Sequence, residues 1–224
     1  MASDLTAEVP DAVTRPSSGA IVLARHGEPA LSRKVRLSAR EYRDFWERYE
    51  VLGLLPGQSP PPLLQGFVDR CGTLVASTRL RSIESAQALA QGRSFAREAV
   101  LIEAPLPPPR WPGWIRLSPK LWGFIARVWW WYFDHHEGQE TRRQAERRAG
   151  EAADMLEALA AGGEDVVVLA HGFFNFMIGR TLKRRGWRLA HSEGWKYWST
   201  RRFEAPPAPG RGRRNPVDPR QAGL

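Results

Sequence analysis

The sequence predicts an α/β fold: a three-layer sandwich with a mostly parallel central sheet, helices on both faces, and a Trp-rich helical insertion. Three observations carry this prediction. Short apolar runs such as AIVLA at Ala20–Ala24 and DVVVLA at Asp165–Ala170 stop abruptly at polar residues, as strands buried on both faces do. Segments with helical spacing follow these runs. The resulting strand–helix–strand alternation is the pattern of a parallel sheet.

Residues 1–18 carry Pro10, Pro16, Ser17 and Ser18 with little periodicity and read as a disordered leader without the apolar core of a secretory signal. The first strand covers about Ala20–Ala24. Ser38 and Glu41 have the spacing of a capping box, and Tyr42, Phe45, Trp46, Tyr49 and Leu52 recur behind them, which predicts a helix from about Ser38 to Leu52 that stops at Gly53. A Pro/Gly loop follows, with a further helical turn within Pro62–Asp69. Gly72–Ala76 reads as the second strand, Arg79–Gln91 as a helix, and Glu98–Glu103 as the third strand.

Residues 105–138 form the predicted insertion. Six of the ten tryptophans fall between Trp111 and Trp131. Arg116, Lys120 and Arg127 make this segment a poor transmembrane span. Three readings stay open for it: a helix packed over the sheet, an aromatic lid on a pocket, or an interfacial membrane helix. Gln139–Ala161 is a helix with alanine and leucine on one face, closed by Gly162-Gly163. Asp165–Ala170 is the fourth strand, Phe173–Arg185 the next helix, and Lys196–Glu204 an edge strand. Residues 205–224 read as a basic, Pro- and Arg-rich disordered tail, which leaves 19–204 as the folded domain.

Net charge is +9, almost all of it from arginine; lysine occurs only at Lys34, Lys120, Lys183 and Lys196. Guanidinium groups recognise phosphate and carboxylate in bidentate fashion. An anionic partner is therefore expected: a phosphorylated small molecule, with peripheral membrane contact as a second outlet for the charge. No nucleic-acid motif is present, so no nucleic acid is expected. A single cysteine, Cys71, excludes a disulfide framework or thiolate cluster, and a cytoplasmic location is the simplest expectation. Oligomeric state stays open.

The strand ends carry the chemistry. The first delivers Arg25 and His26, the second leads through Ser77 to Arg81, the third gives Glu103, and the fourth gives His171. In parallel strands these groups meet at one sheet edge, where ligands of open α/β sheets bind. Two imidazoles and two guanidiniums suit a phosphoryl group; a neutral imidazole can act as nucleophile, and a carboxylic acid can protonate a leaving oxygen. Backbone N–H groups at the helix starts after Ser77 and His171 would add to anion binding. Gly27 leaves space where a ligand needs the backbone close.

The stretch Arg25-His26-Gly27-Glu28 resembles the RHG signature of the histidine phosphatase superfamily, the phosphoglycerate-mutase-like family. Ser77–Ala86 is similar to its second block, and Val166–Gly172 to its third, a strand ending in His-Gly. The likeness spans about Ile21 to Leu182. It implies a metal-independent, cofactor-free enzyme in which His26 becomes a phosphohistidine. Arg25 and Arg81 would bind phosphoryl oxygens, with Gly27 and Gly172 beside them. His171 would stabilise the transferring group, and Glu103 would donate a proton and later activate water, with Glu28 and Glu98 as the nearest substitutes. Arg79 competes with Arg81, and register favours Arg81. The Gly- and Asn-rich stretch usual after the first block is missing, which favours a phosphomonoesterase over the alternative, a phosphomutase. A non-catalytic phosphate- or membrane-surface-binding protein is the rival outside enzymes. The aromatic insertion would suit an ester with an apolar or aromatic group.

Overall fold

The computed structural model describes residues 18–206; all but the last residue of the leader and all but the first two residues of the tail lie outside them. Six strands form one sheet in the order β3-β2-β4-β1-β6-β5. They are β1 (Ile21–Arg25), β2 (Thr73–Ser77), β3 (Ala96–Glu98), β4 (Val166–Ala170), β5 (Arg188–Ser192) and β6 (Thr200–Glu204). The first four are mutually parallel, while β6 runs antiparallel to both β1 and β5. The helices are α1 (Ala39–Val51), α2 (Pro62–Arg70), α3 (Leu80–Ala90), α4 (Pro119–Phe133), α5 (Arg142–Ala160) and α6 (Gly172–Arg184).

The continuous apolar character of β1 and β4 has a simple cause. Successive side chains point to opposite faces, and both faces are covered. Ile21, Leu23, Val166 and Val168 pack under α5 and α6, whose inward residues are Ala145, Ala149, Ala152, Leu156, Phe174 and Ile178. Val22, Ala24, Val167 and Leu169 face α2 and α3 through Leu64, Val68, Ala86 and Leu89. These are the three layers. A separate small core joins α1 to α4: Tyr42, Phe45 and Tyr49 meet the fully buried Trp122. The capping box on α1 is formed, with the Ser38 Oγ accepting from the Glu41 N–H and the Glu41 carboxylate accepting from the Ser38 N–H. A second one, between Thr141 and Gln144, starts α5.

Three sequence expectations need correction. The third strand is not Glu98–Glu103 but the three residues of β3, of which Ala96 and Arg97 are exposed. The apolar residues Ala99–Leu101 form a 3-10 turn instead, and Arg148 of α5 takes the Val100 and Ile102 carbonyls at 2.8 and 2.6 Å, which removes them from any ladder. Glu103 therefore lies in a loop five residues beyond β3. The last strand is β6, shorter than Lys196–Glu204, and it is interior; the edge is β5, whose RLAHS sequence is largely exposed and carries no apolar alternation. The segment Pro62–Asp69 is a full nine-residue helix rather than a turn.

Candidate active site

Strand register brings the two histidines together. Arg25 pairs with Ala170 across β1 and β4, so His26 and His171, one residue further on, sit side by side. The His26 N–H donates to the Ala170 carbonyl at 3.0 Å, and the ring centroids are 5.2 Å apart. Both side chains are almost wholly buried. On the far side of β4, Ser77 ends β2, and its Oγ lies 2.9 Å from His171 Nε2.

The hydrogen bonds fix both tautomers. His26 Nδ1 is 2.7 Å from the Gly27 carbonyl, which only accepts, so Nδ1 carries the proton and Nε2 keeps its lone pair. That lone pair receives the Arg81 Nε–H at 3.2 Å. Arg81 Nη2 donates to His171 Nδ1 at 3.3 Å, which puts the His171 proton on Nε2, toward Ser77. Burial lowers both imidazole pKa values well below their usual range, and the nearby Arg81 charge pushes the same way. Both rings are neutral at neutral pH.

Arg81 is fully buried, and all five of its N–H groups are in use. Besides the two imidazoles they reach the Tyr49 and Glu50 carbonyls at the end of α1 and the Glu50 carboxylate at 2.9 Å. Its face lies 4.6 Å from the Tyr49 ring centre. Arg79, the competing arginine, precedes α3 and pairs with Glu50 at 2.7 Å; it touches neither histidine. Arg25 is less committed. Nη1 donates to the Trp195 carbonyl at 2.7 Å and the guanidinium covers Tyr197 at 4.2 Å, but the buried Nε has no partner. The buried Tyr197 hydroxyl is also unpartnered, and burial raises its pKa. Gly172 leaves room for Arg25, whose Cδ and Nε would lie 3.4 Å from a Cβ there.

Glu103 reaches the site from its loop. Its Oε1 accepts the Phe174 N–H at 2.8 Å and the Ala104 N–H at 3.3 Å, and its Oε2 accepts the Phe173 N–H at 3.3 Å. Two of the N-terminal N–H groups of α6, those of Phe173 and Phe174, are thus held by this internal carboxylate. Gly27 is also required for packing: a Cβ would lie 2.4 Å from the buried Trp198 ring. Glu28 is exposed, and Glu98 sits on β3 at the opposite edge of the sheet from β5.

His26, Arg25, Arg81, Glu103 and Gly172 open on one cavity of about 1030 Å³. Its walls come from α1 (Tyr42, Trp46, Tyr49), α4 (Gly123, Phe124, Arg127), α6 (Phe173, Phe176) and the loop before β6. The Trp-rich insertion therefore does two things: Trp122 and Trp130 are buried packing residues, and the neighbouring face of α4 lines the cavity. Tyr42 is pushed up to about 12 by burial and stays a neutral phenol in the wall. Sequence reasoning missed Glu50. The signal was there: Tyr42, Trp46 and Glu50 fall at i, i+4 and i+8, so a carboxylate interrupts an inward aromatic stripe. Among the described residues no cluster of three His, Cys, Asp or Glu is arranged to hold a metal ion, and no helix is long and apolar enough to cross a membrane.

No family model and no curated protein matches the sequence. Solved structures do match. The product of the open reading frame Rv3214 from Mycobacterium tuberculosis is similar with a TM-score of 0.51 and 17% identity, over 84% of this chain and 97% of that one. A mycobacterial glucosyl-3-phosphoglycerate phosphatase, Rv2419c, aligns with a TM-score of 0.46 and 17% identity over 75% and 80% of the two chains. A phosphoglycerate mutase from Bacillus anthracis aligns with a TM-score of 0.49 and 16% identity over 83% and 88%. The fold is shared with the Rv3214 product. The likeness is one of fold, and the chemistry rests on the side chains.

Proposed function

We propose that the protein is a phosphomonoesterase that works through a covalent phosphohistidine on His26, without a metal ion. One observation carries the reading: the neutral His26 ring, with its proton held on Nδ1 by Gly27, keeps an unprotonated Nε2 beside the buried Arg81 guanidinium in the cavity lining, and Arg81 in turn reaches His171.

In the first step Nε2 attacks phosphorus and the bond to the leaving oxygen breaks. The Nε2 lone pair that Arg81 Nε–H occupies becomes the new N–P bond, so the Arg81 N–H is released toward a phosphoryl oxygen. The unpartnered Arg25 Nε supplies a second donor. His171 sits within 5.2 Å, centre to centre, on the other flank and stabilises the transferring charge. Glu103, in the cavity wall, gives a proton to the leaving oxygen and takes one from the water that then attacks phosphorus, as the Nε2–P bond breaks, inorganic phosphate leaves and the His26 lone pair is restored. The Gly27 bond to Nδ1–H steadies the ring while positive charge develops on it.

His26→Ala should abolish turnover of p-nitrophenyl phosphate, while the fold, read by circular dichroism, stays intact. Full activity in that variant would rule the mechanism out. A chelator should leave the wild-type rate unchanged.

A further inference from the structure

Much of the cavity is unused by the phosphoryl chemistry. At about 1030 Å³ it lies at the top of the range, roughly 300–1,000 Å³, that suits drug-sized ligands. The phosphoryl group needs only the floor. Above it the wall is aromatic: Phe173 stacks on Phe176 at 5.9 Å, and Phe176 meets Trp195 at 5.9 Å. Phe124 of α4 also lines the space, yet is 63% exposed, and Leu121, one turn earlier on the same helix, is 44% exposed. Phe124 thus stands both in the cavity wall and on the surface of α4, with Leu121 exposed three residues before it. The polar groups in the lining beyond the phosphoryl site are cations and phenols, Arg33, Lys120, Arg127 and Lys196 with Tyr42, Tyr49 and Tyr197.

The charge along the cavity is mostly positive, with Glu103 the one acid in its lining. Lys120, Arg127 and Lys196 line it as well, and none forms an ion pair among the described residues. Apolar side chains flanked by unpaired cations match an anionic head group attached to a hydrocarbon.

Resting on the phosphatase reading above, we infer that the substrate is a phosphate monoester of a long apolar chain. Its phosphate sits at His26, and its tail leaves between Phe176 and Phe124 toward Leu121. Such a substrate can come from a bilayer or as a dispersed monomer.

Non-hydrolysable alkylphosphonates test this without turnover. Calorimetric titration of the full chain with the butyl to octyl series should show affinity rising, by up to about fourfold for each methylene buried. Phe124→Ala and Phe176→Ala should lower octyl affinity and leave butyl affinity unchanged. A flat series, or the same rise in both variants, would overturn the inference. So would a dimer that buries Phe124 and dissociates in Phe124→Ala alongside a flat series. Sedimentation with phosphatidylcholine vesicles containing phosphatidic acid names the source. Binding that is lost in Lys120→Ser/Lys196→Ser supports the bilayer; a rising series with no vesicle binding supports the monomer. Wild-type failure on p-nitrophenyl phosphate would refute the phosphatase reading alone, since the titration does not depend on catalysis.

Discussion

Acidification should destabilise this fold through His26 and His171 specifically. Both imidazoles are buried beside the Arg81 guanidinium, and their pKa values lie well below the usual one. In the unfolded chain each returns to about 6.5. Between those values the unfolded state binds a proton that the native state does not, so stability is full above about pH 6.5 and falls as the pH drops below it. From about pH 7.5 to about pH 5.5 the loss is about 1.4 kcal/mol for each histidine, or about 2.7 kcal/mol for both. Urea unfolding followed by tryptophan fluorescence at both pH values measures it. His26→Asn and His171→Asn should each halve this part of the pH dependence, whatever they do to stability at neutral pH. Carboxylates contribute equally to wild type and variants and cancel in the comparison. Identical pH dependence in all three proteins would refute the claim that these rings are held neutral.

Other predictions follow from single contacts. Glu50→Gln removes the charge that faces the buried Arg81, and should cost about 1–3 kcal/mol of stability. It should also lower kcat by about tenfold or more, as Arg81 loses its fixed position between the histidines. Glu103→Gln should slow alkyl phosphates on the order of a hundredfold or more, and p-nitrophenyl phosphate far less, because nitrophenolate leaves without a proton. Equal losses on both substrates would reduce Glu103 to a cap on α6. Gly27→Ala must displace Trp198 and should cost about 1–3 kcal/mol, read as a lowered melting temperature.

What was legible in the sequence was local. Ile21–Ala24 and Val166–Ala170 announced themselves because both faces of those strands are buried, and the residues just past them had to lie at one sheet edge. That is enough to bring His26 and His171 together. β3 and β5 were hidden because edge strands are exposed and need no apolar run. Glu103 was placed for the wrong reason: its loop is held by Arg148, a contact across 46 residues that no local pattern encodes. The packing contact at Gly27 was hidden likewise, because its neighbour Trp198 arrives from the far end of the chain with φ +62°. Glu50 showed only as a carboxylate out of place on an aromatic stripe. Its meaning needed the fold, which folds α1 back over Arg81.

The most direct test is chemical. Rapid alkaline quenching during turnover of a phosphate ester, followed by peptide mass spectrometry, should find phosphate on His26 and on no other residue, with the label lost in His26→Ala. Steady turnover with His26 unmodified, or with phosphate on a different side chain, would contradict the account.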